Sequence, residues 1–173
     1  MDMTHGGMFR KILLFALPLA ASSIIQQLYN SIDVAVVGRF ASSEALAAVG
    51  SNGAIINLLI NIFIGLSVGA NVLIAHHIGQ KNDGAIKQAI STSMVVAVLS
   101  GVLVMFVGIA LARPILEMMD TPHDVIDLST LYLRIYFLGM PFLMVYNFGA
   151  AVLRGMGDTR RPLYCLLVSG VVN

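Results

Sequence analysis

ILLFALPLAASSIIQQLYNSIDVAVVG, residues 12–38, is the stretch on which the fold class turns. As a helix rising 1.5 Å per residue it would reach roughly 40 Å, enough to cross a hydrocarbon core of ~30 Å with tilt or a bend. Asp33 lies inside it. An aspartate at the centre of a membrane helix costs about 2.5–3.5 kcal/mol on insertion scales, so it is expected to face protein or water and to serve function. At 100° per residue, Ser22, Gln26, Tyr29, Asn30 and Asp33 fall within an arc of roughly 100°. Lipid cannot satisfy polar groups, so this stripe is expected to face other helices or a water-filled cavity. Pro18 stands beside the stripe. Its ring removes a backbone hydrogen bond and crowds the carbonyl of Leu14, which predicts a bend that could open the face.

Outward from this segment the composition is consistent. Apolar residues make up 58% of the 173-residue chain and charged residues 11%, with a mean hydropathy of +0.88. Soluble domains carry about 25% charged residues, so a soluble fold is excluded in favour of an integral membrane protein. The net charge of +1 says nothing about partners. The one cysteine, Cys165, lies in an apolar run and has no disulfide partner in the sequence. Windowed hydropathy gives spans at about 12–38, 54–78, 89–112 and 128–153, and a short segment at 163–173. The expectation is an all-α polytopic helix bundle with four complete transmembrane helices and the start of a fifth. The second span can also begin earlier, near Glu44, as one long helix. The connections at 39–43, 79–87, 113–127 and 154–162 are polar or punctuated by Gly and Pro. The last segment is too short to span, so it is read as re-entrant or, preferably, as a helix cut short in the front part of a longer protein.

Charge orients the bundle. Arg10, Lys11, Lys81, Lys87, Arg154, Arg160 and Arg161 fall on the side of the N-terminus, against Arg39, Arg113 and Arg134 on the other. That asymmetry predicts a cytoplasmic N-terminus. The third connection carries Glu117, Asp120, Asp124 and Asp127, which suits the external face. Arg10-Lys11 followed by ILLFALPLAA also has the form of a signal peptide, but the apolar pattern continues through Gly38 and favours a span.

Few side chains could carry chemistry. Burial favours the protonated form of a carboxyl group, so Asp33 is a candidate proton carrier. With Asn30 and backbone oxygens it could equally hold sodium, since hard cations take oxygen ligands. The structural alternative is an aspartate paired to a helix end or an arginine. In the second span Asn57, Asn61 and Asn71 share one face, as substrate lining or as hydrogen-bonding glue between helices. Gly65 and Gly69 form a GxxxG pair that predicts close helix packing. His76 and His77 are adjacent, point about 100° apart and do not chelate one ion. Asp120, His123, Asp124 and Asp127 read as a solvated loop, because Thr121-Pro122 breaks the turn. Gly155-Met156-Gly157 is a turn and not a nucleotide site, since no strand precedes it. No nucleophile–base pairing is visible, so no enzyme activity, metal or cofactor is expected.

LRGMGDTRRP, residues 153–162, resembles the signature after the fourth helix of the multidrug and toxic compound extrusion (MATE) family, usually close to LRGxGDTRTP. Arg161 replaces the usual threonine. ALPLAASSIIQQLYNSIDVAVVGRF is similar to that family's first helix, GLSVGANVLIAHHIGQKN to the end of its second, and YLRIYFLGMPF to its fourth. The resemblance implies residues 1–173 of a partial N-terminal lobe in a twelve-helix antiporter of two six-helix lobes. It implies export of small, often cationic and amphipathic drugs against sodium or protons, in a bacterial-type plasma (inner) membrane, with no cofactor and no nucleic acid. Asp33 matches the family's acidic coupling residue, and Asn173 looks like the fifth-helix asparagine that partners it. A second partner would stand at position 177, past the last residue. The cavity would be lined by Gln26, Tyr29, Asn30, Asn57 and Asn61. The competing readings are a related carrier of a lipid-linked or anionic substrate, and a membrane assembly module without transport.

Overall fold

In lipid, a backbone without a sheet partner must bond to itself, and apolar runs of this length therefore become helices. The computed structural model describes residues 8–40 and 43–172, in the order α1 Met8–Phe40, α2 Ser43–Gly79, α3 Asp83–Met118, α4 His123–Leu138, α5 Met140–Gly155 and α6 Arg160–Val172. Among the described residues, α1, α2 and α3 each contain a segment long and apolar enough to cross a membrane, and α4 with α5 make a fourth if counted as one bent span.

The helices outrun the apolar windows because local chemistry extends them. α2 runs as one long helix from Ser43 to Gly79. α3 begins six residues before its apolar window, where the Asn82 Oδ1 accepts the Ala85 N–H at 3.1 Å and Asp83 complements the helix dipole. At its other end α3 runs through Pro114 to Met118, so the expected long loop at 113–127 is mostly helical. Arg113 organises this region: its Nε donates to Glu117 Oε1 and its Nη1 to Asp127 Oδ1, each at 3.0 Å. The first pair closes a helical turn and the second ties α3 to α4. Only Met119–Pro122 separates the two helices.

The expected single span at 128–153 is two helices meeting at Gly139 with a bend of 47°. Pro141 explains the break, since it donates no hydrogen bond and its ring crowds the Phe137 carbonyl. α3 receives this bend on glycines. A Cβ on Gly101 would stand 2.6 Å from Pro141 Cα, and one on Gly108 would overlap the Phe137 ring. Phe137, Met140 and Met144 fill the core there with Leu133, Leu116, Ala112, Ile126 and Ile55. A smaller cluster of Ile74, Ala89 and Val152 lies toward the opposite ends of α2 and α3.

Residues 153–162 form the turn into α6, and each part of that run has a structural reason. Gly155 lets α5 approach α2, because a Cβ would sit 2.9 Å from the Asn71 carbonyl oxygen. Gly157 takes φ 81°, a left-handed conformation that side chains disfavour. Asp158 caps α6: its Oδ1 accepts the Arg160 and Arg161 N–H groups at 3.0 and 3.2 Å, and its Oδ2 meets Arg161 Nε at 3.1 Å. By contrast, Gly65 and Gly69 meet nothing within 4 Å of a built Cβ, so the GxxxG pair makes no helix contact among the described residues. α2 through α5 form the packed body, and α1 lies outside it against α2 and α6.

Candidate functional site

α1 reaches the body along Gln27, Asn30 and Val34, a helical row with Asp33 at its edge. Together with α2 and α4 it lines a partly open cavity of about 500 Å³. α2 supplies Leu46, Val49, Gly50, Gly53, Ile56, Asn57 and Ile60, and α4 supplies Tyr132 and Tyr136. Gly50 and Gly53 leave the volume open, since a Cβ on either would meet no atom within 4 Å among the described residues. A second groove of about 410 Å³ lies on the other flank of α1, lined by Tyr29, Ile32 and Val36 with Gly170 of α6. Asp33, Val49 and Tyr132 line both spaces. The carboxylate thus stands where the two cavities meet, and Tyr132 lies within electrostatic reach of it.

Of the residues singled out in the sequence, Tyr29, Asn30, Asp33 and Asn57 come together here. Gln26 is exposed and lines neither space, while Gln27 does. α2 packs on the flank of the polar stripe and not on its centre, which moves the lining row by one residue. Asn61 is exposed at the edge of the α2 face, and its Nδ2 donates to the Asn57 carbonyl at 2.7 Å within its own helix. Asn173 lies outside the described residues. Ser22 also turns inward on its own helix, donating to the Pro18 carbonyl at 2.8 Å. Tyr132 and Tyr136 were missed, although two tyrosines four residues apart in a membrane helix are a readable signal of a polar face.

Among the described residues, the lining of both spaces includes one carboxylate and no lysine, arginine or histidine. The remaining groups are amide and phenol oxygens set among aliphatic walls. Such a set can hold a proton or a small hard cation at Asp33, and can take an organic cation by charge and by its aromatic faces. His76 and His77 stand apart from it, with ring centroids 5.9 Å apart and His76 Nε2 3.0 Å from Gln80 Nε2. Among the described residues no group of three or more histidine, cysteine or acidic side chains could hold a metal ion.

Tyr29 closes the second groove against α6. Its hydroxyl donates to the Leu166 carbonyl at 3.5 Å, and its ring occupies the space where a side chain on Gly170 would begin. Gly170→Val is expected to force the ring off and part α1 from α6. Spin labels at the exposed positions Leu28 and Val168, in a Cys165→Ser background, should report a longer distance. An unchanged distance would mean that the two helices do not meet through this contact.

The MatE family profile matches residues 18–173, nearly the whole chain and all of the helices that build the two cavities. The chain belongs to the MatE family. Two relatives from Bacillus subtilis (strain 168) carry multidrug resistance names: "Probable multidrug resistance protein YoeA" is 36% identical over 165 residues, 95% of this chain and 36% of the relative. "Probable multidrug resistance protein YpnP" is 28% identical over 174 residues, 99% of this chain and 39% of the relative. A solved MATE structure in a straight conformation superposes with a TM-score of 0.83 at 25% identity, over 91% of this chain and 35% of that one. A MOP superfamily transporter from Pyrococcus furiosus, described as having a binding pocket of reversed polarity, gives 0.83 at 25%, over 90% and 34%. This chain spans about a third of the length of the curated relatives it matches and of those solved structures. MatE proteins are transporters and not enzymes, and the long apolar helices here are those of a multi-pass membrane protein.

Proposed function

We propose that residues 1–173 act as part of the N-terminal lobe of a cation-coupled exporter of drugs and other xenobiotics, and that Asp33 is its coupling residue. The observation that carries this reading is that, among the described residues, one carboxylate is shared by two cavities where α1, α2, α4 and α6 converge. A proton or sodium ion on Asp33 changes the charge at that junction. It can shift the balance between inward-open and outward-open forms only by binding one more tightly than the other. α1 suits such a response, because it lies outside the packed body and carries Pro18 in its N-terminal half. Tyr29, Asn30 and Asn57 contribute polar contacts around the carboxylate, and Asn173 is a candidate partner by resemblance alone.

The substrates are small amphipathic cations. Aliphatic walls with two tyrosine faces take the apolar body, and the carboxylate attracts the charge. An anionic or lipid-linked substrate is less well served, because among the described residues no basic side chain lines either space. The membrane is the bacterial plasma membrane, with the N-terminus cytoplasmic by the charge asymmetry. Transport of a cationic dye by a full-length protein carrying this segment, reconstituted in vesicles, tests the reading. Efflux is expected to follow an imposed inward sodium gradient or an imposed inward proton gradient. Efflux indifferent to both gradients would refute coupling.

A further inference from the structure

Asn52 stands on α2 between Val49 and Ile56, two residues of the cavity wall, yet its own side chain is wholly buried at 0% exposure. Its Nδ2 donates to the Ser129 carbonyl of α4 at 3.0 Å. Its Oδ1 is buried and has no partner among the described residues. A buried amide whose oxygen is unmet is a poor choice for packing alone, where leucine would fill similar space without that cost. The bond that it does make has a definite address. Ser129 lies one turn before Tyr132 and two turns before Tyr136, both of which line the cavity. A helical carbonyl has a second lone pair free for such a bond, and its direction depends on both the rotation and the height of the helix.

We propose that Asn52 is a positioning residue that sets α4 against α2 so that Tyr132 faces Asp33. In a membrane, helices have little hydrophobic reason to prefer one rotation over another, and a single interhelical hydrogen bond can decide it. A roll of α4 by one residue, about 100°, would carry Tyr132 off the cavity wall and away from Asp33. The inference rests on the transport reading for its functional consequence, though not for its structural one.

Two measurements test it in a full-length protein carrying this segment. The first is structural: spin labels at the exposed positions Leu58 and Leu131, in a Cys165→Ser background, with Asn52 intact and with Asn52→Leu. Asn52→Leu is expected to insert and to shift the α2–α4 distance distribution. The second is functional. Asn52→Leu is expected to raise the coupling-ion concentration for half-maximal efflux by about fivefold or more, the size of an ordinary coupling between sites. That effect should not add to the effect of Tyr132→Phe, because both act on the same phenol. Should Asn52→Leu fail to insert, Asn52→Ser, which removes the amide without adding bulk, is expected to show the same shift. An unmoved α4 would overturn the inference, as would ion dependence equal to wild type or an effect fully additive with Tyr132→Phe. A wild-type protein that does not transport would refute the functional reading and leave the distance measurement standing.

Discussion

Asp33→Asn is expected to reduce efflux to about one hundredth of the wild-type rate or less, a loss of roughly 2.7 kcal/mol or more, while the protein still inserts normally. The substitution keeps the shape and removes a carboxylate that lines both cavities, the one that does so among the described residues. Without it the site can neither take up a proton nor neutralise a cation, so the two open forms no longer differ in affinity for the driving ion. The loss is expected without misfolding. An ionised aspartate in a span costs about 2.5–3.5 kcal/mol on insertion scales, and asparagine relieves much of that cost. Membrane levels should therefore equal or exceed wild type. Asp33→Glu keeps the charge one methylene further out and is expected to retain partial efflux. Undiminished efflux by Asp33→Asn, measured with matched protein in vesicles, would remove Asp33 from the mechanism.

Most of the architecture was legible because lipid narrows the choices: long apolar runs become helices, and polar residues within them gather on one face. Tyr29, Asn30, Asp33 and Asn57 could be drawn into one region on those grounds, and the structure brings them to adjoining cavities. The limits were set by information outside any single helix. Whether Gln26 or Gln27 points into the cavity depends on where α2 docks, and the helical wheel of α1 does not contain that. Asn61 shares an approximate face with Asn57, but its amide is spent on its own backbone. The bend at Gly139 had a visible cause in Pro141, yet hydropathy averages across it and returns one span. Pro114 gave the opposite error. It marks a helix end in most contexts, whereas here the Arg113–Glu117 pair carries the helix one turn further. Asn52 was passed over because, in sequence, it is one more amide. Only its total burial and its bond to α4 set it apart.

The largest effect on stability is expected at Gly108. Replacing glycine by alanine in a helix ordinarily gains about 0.8–1 kcal/mol, and Gly65→Ala, which meets only open space, should show no loss. Gly108→Ala should do the reverse, because its Cβ would overlap the ring of Phe137, itself 1% exposed among Leu133, Met140 and Met144. A ring so enclosed has nowhere to retreat, and overpacking of this kind typically costs about 1–3 kcal/mol, with more for a larger side chain such as leucine. The expected result is a lower midpoint for thermal unfolding in detergent with Gly108→Ala and failure to recover folded protein with Gly108→Leu. Because the obstacle is a side chain, it can be removed. Phe137→Ala alone should cost about 3–5 kcal/mol through the cavity it leaves, but combined with Gly108→Leu it should recover part of the stability that each change loses. Gly101 is the contrasting case. There the obstacle is the Pro141 backbone, 2.6 Å from a built Cβ, and no truncation of a neighbouring side chain relieves it. Rescue at 108 without rescue at 101 would establish that α3 holds the bent α4–α5 pair by two close contacts of different kinds. A Gly108→Ala protein as stable as wild type would mean that α3 and α4 do not pack at this distance.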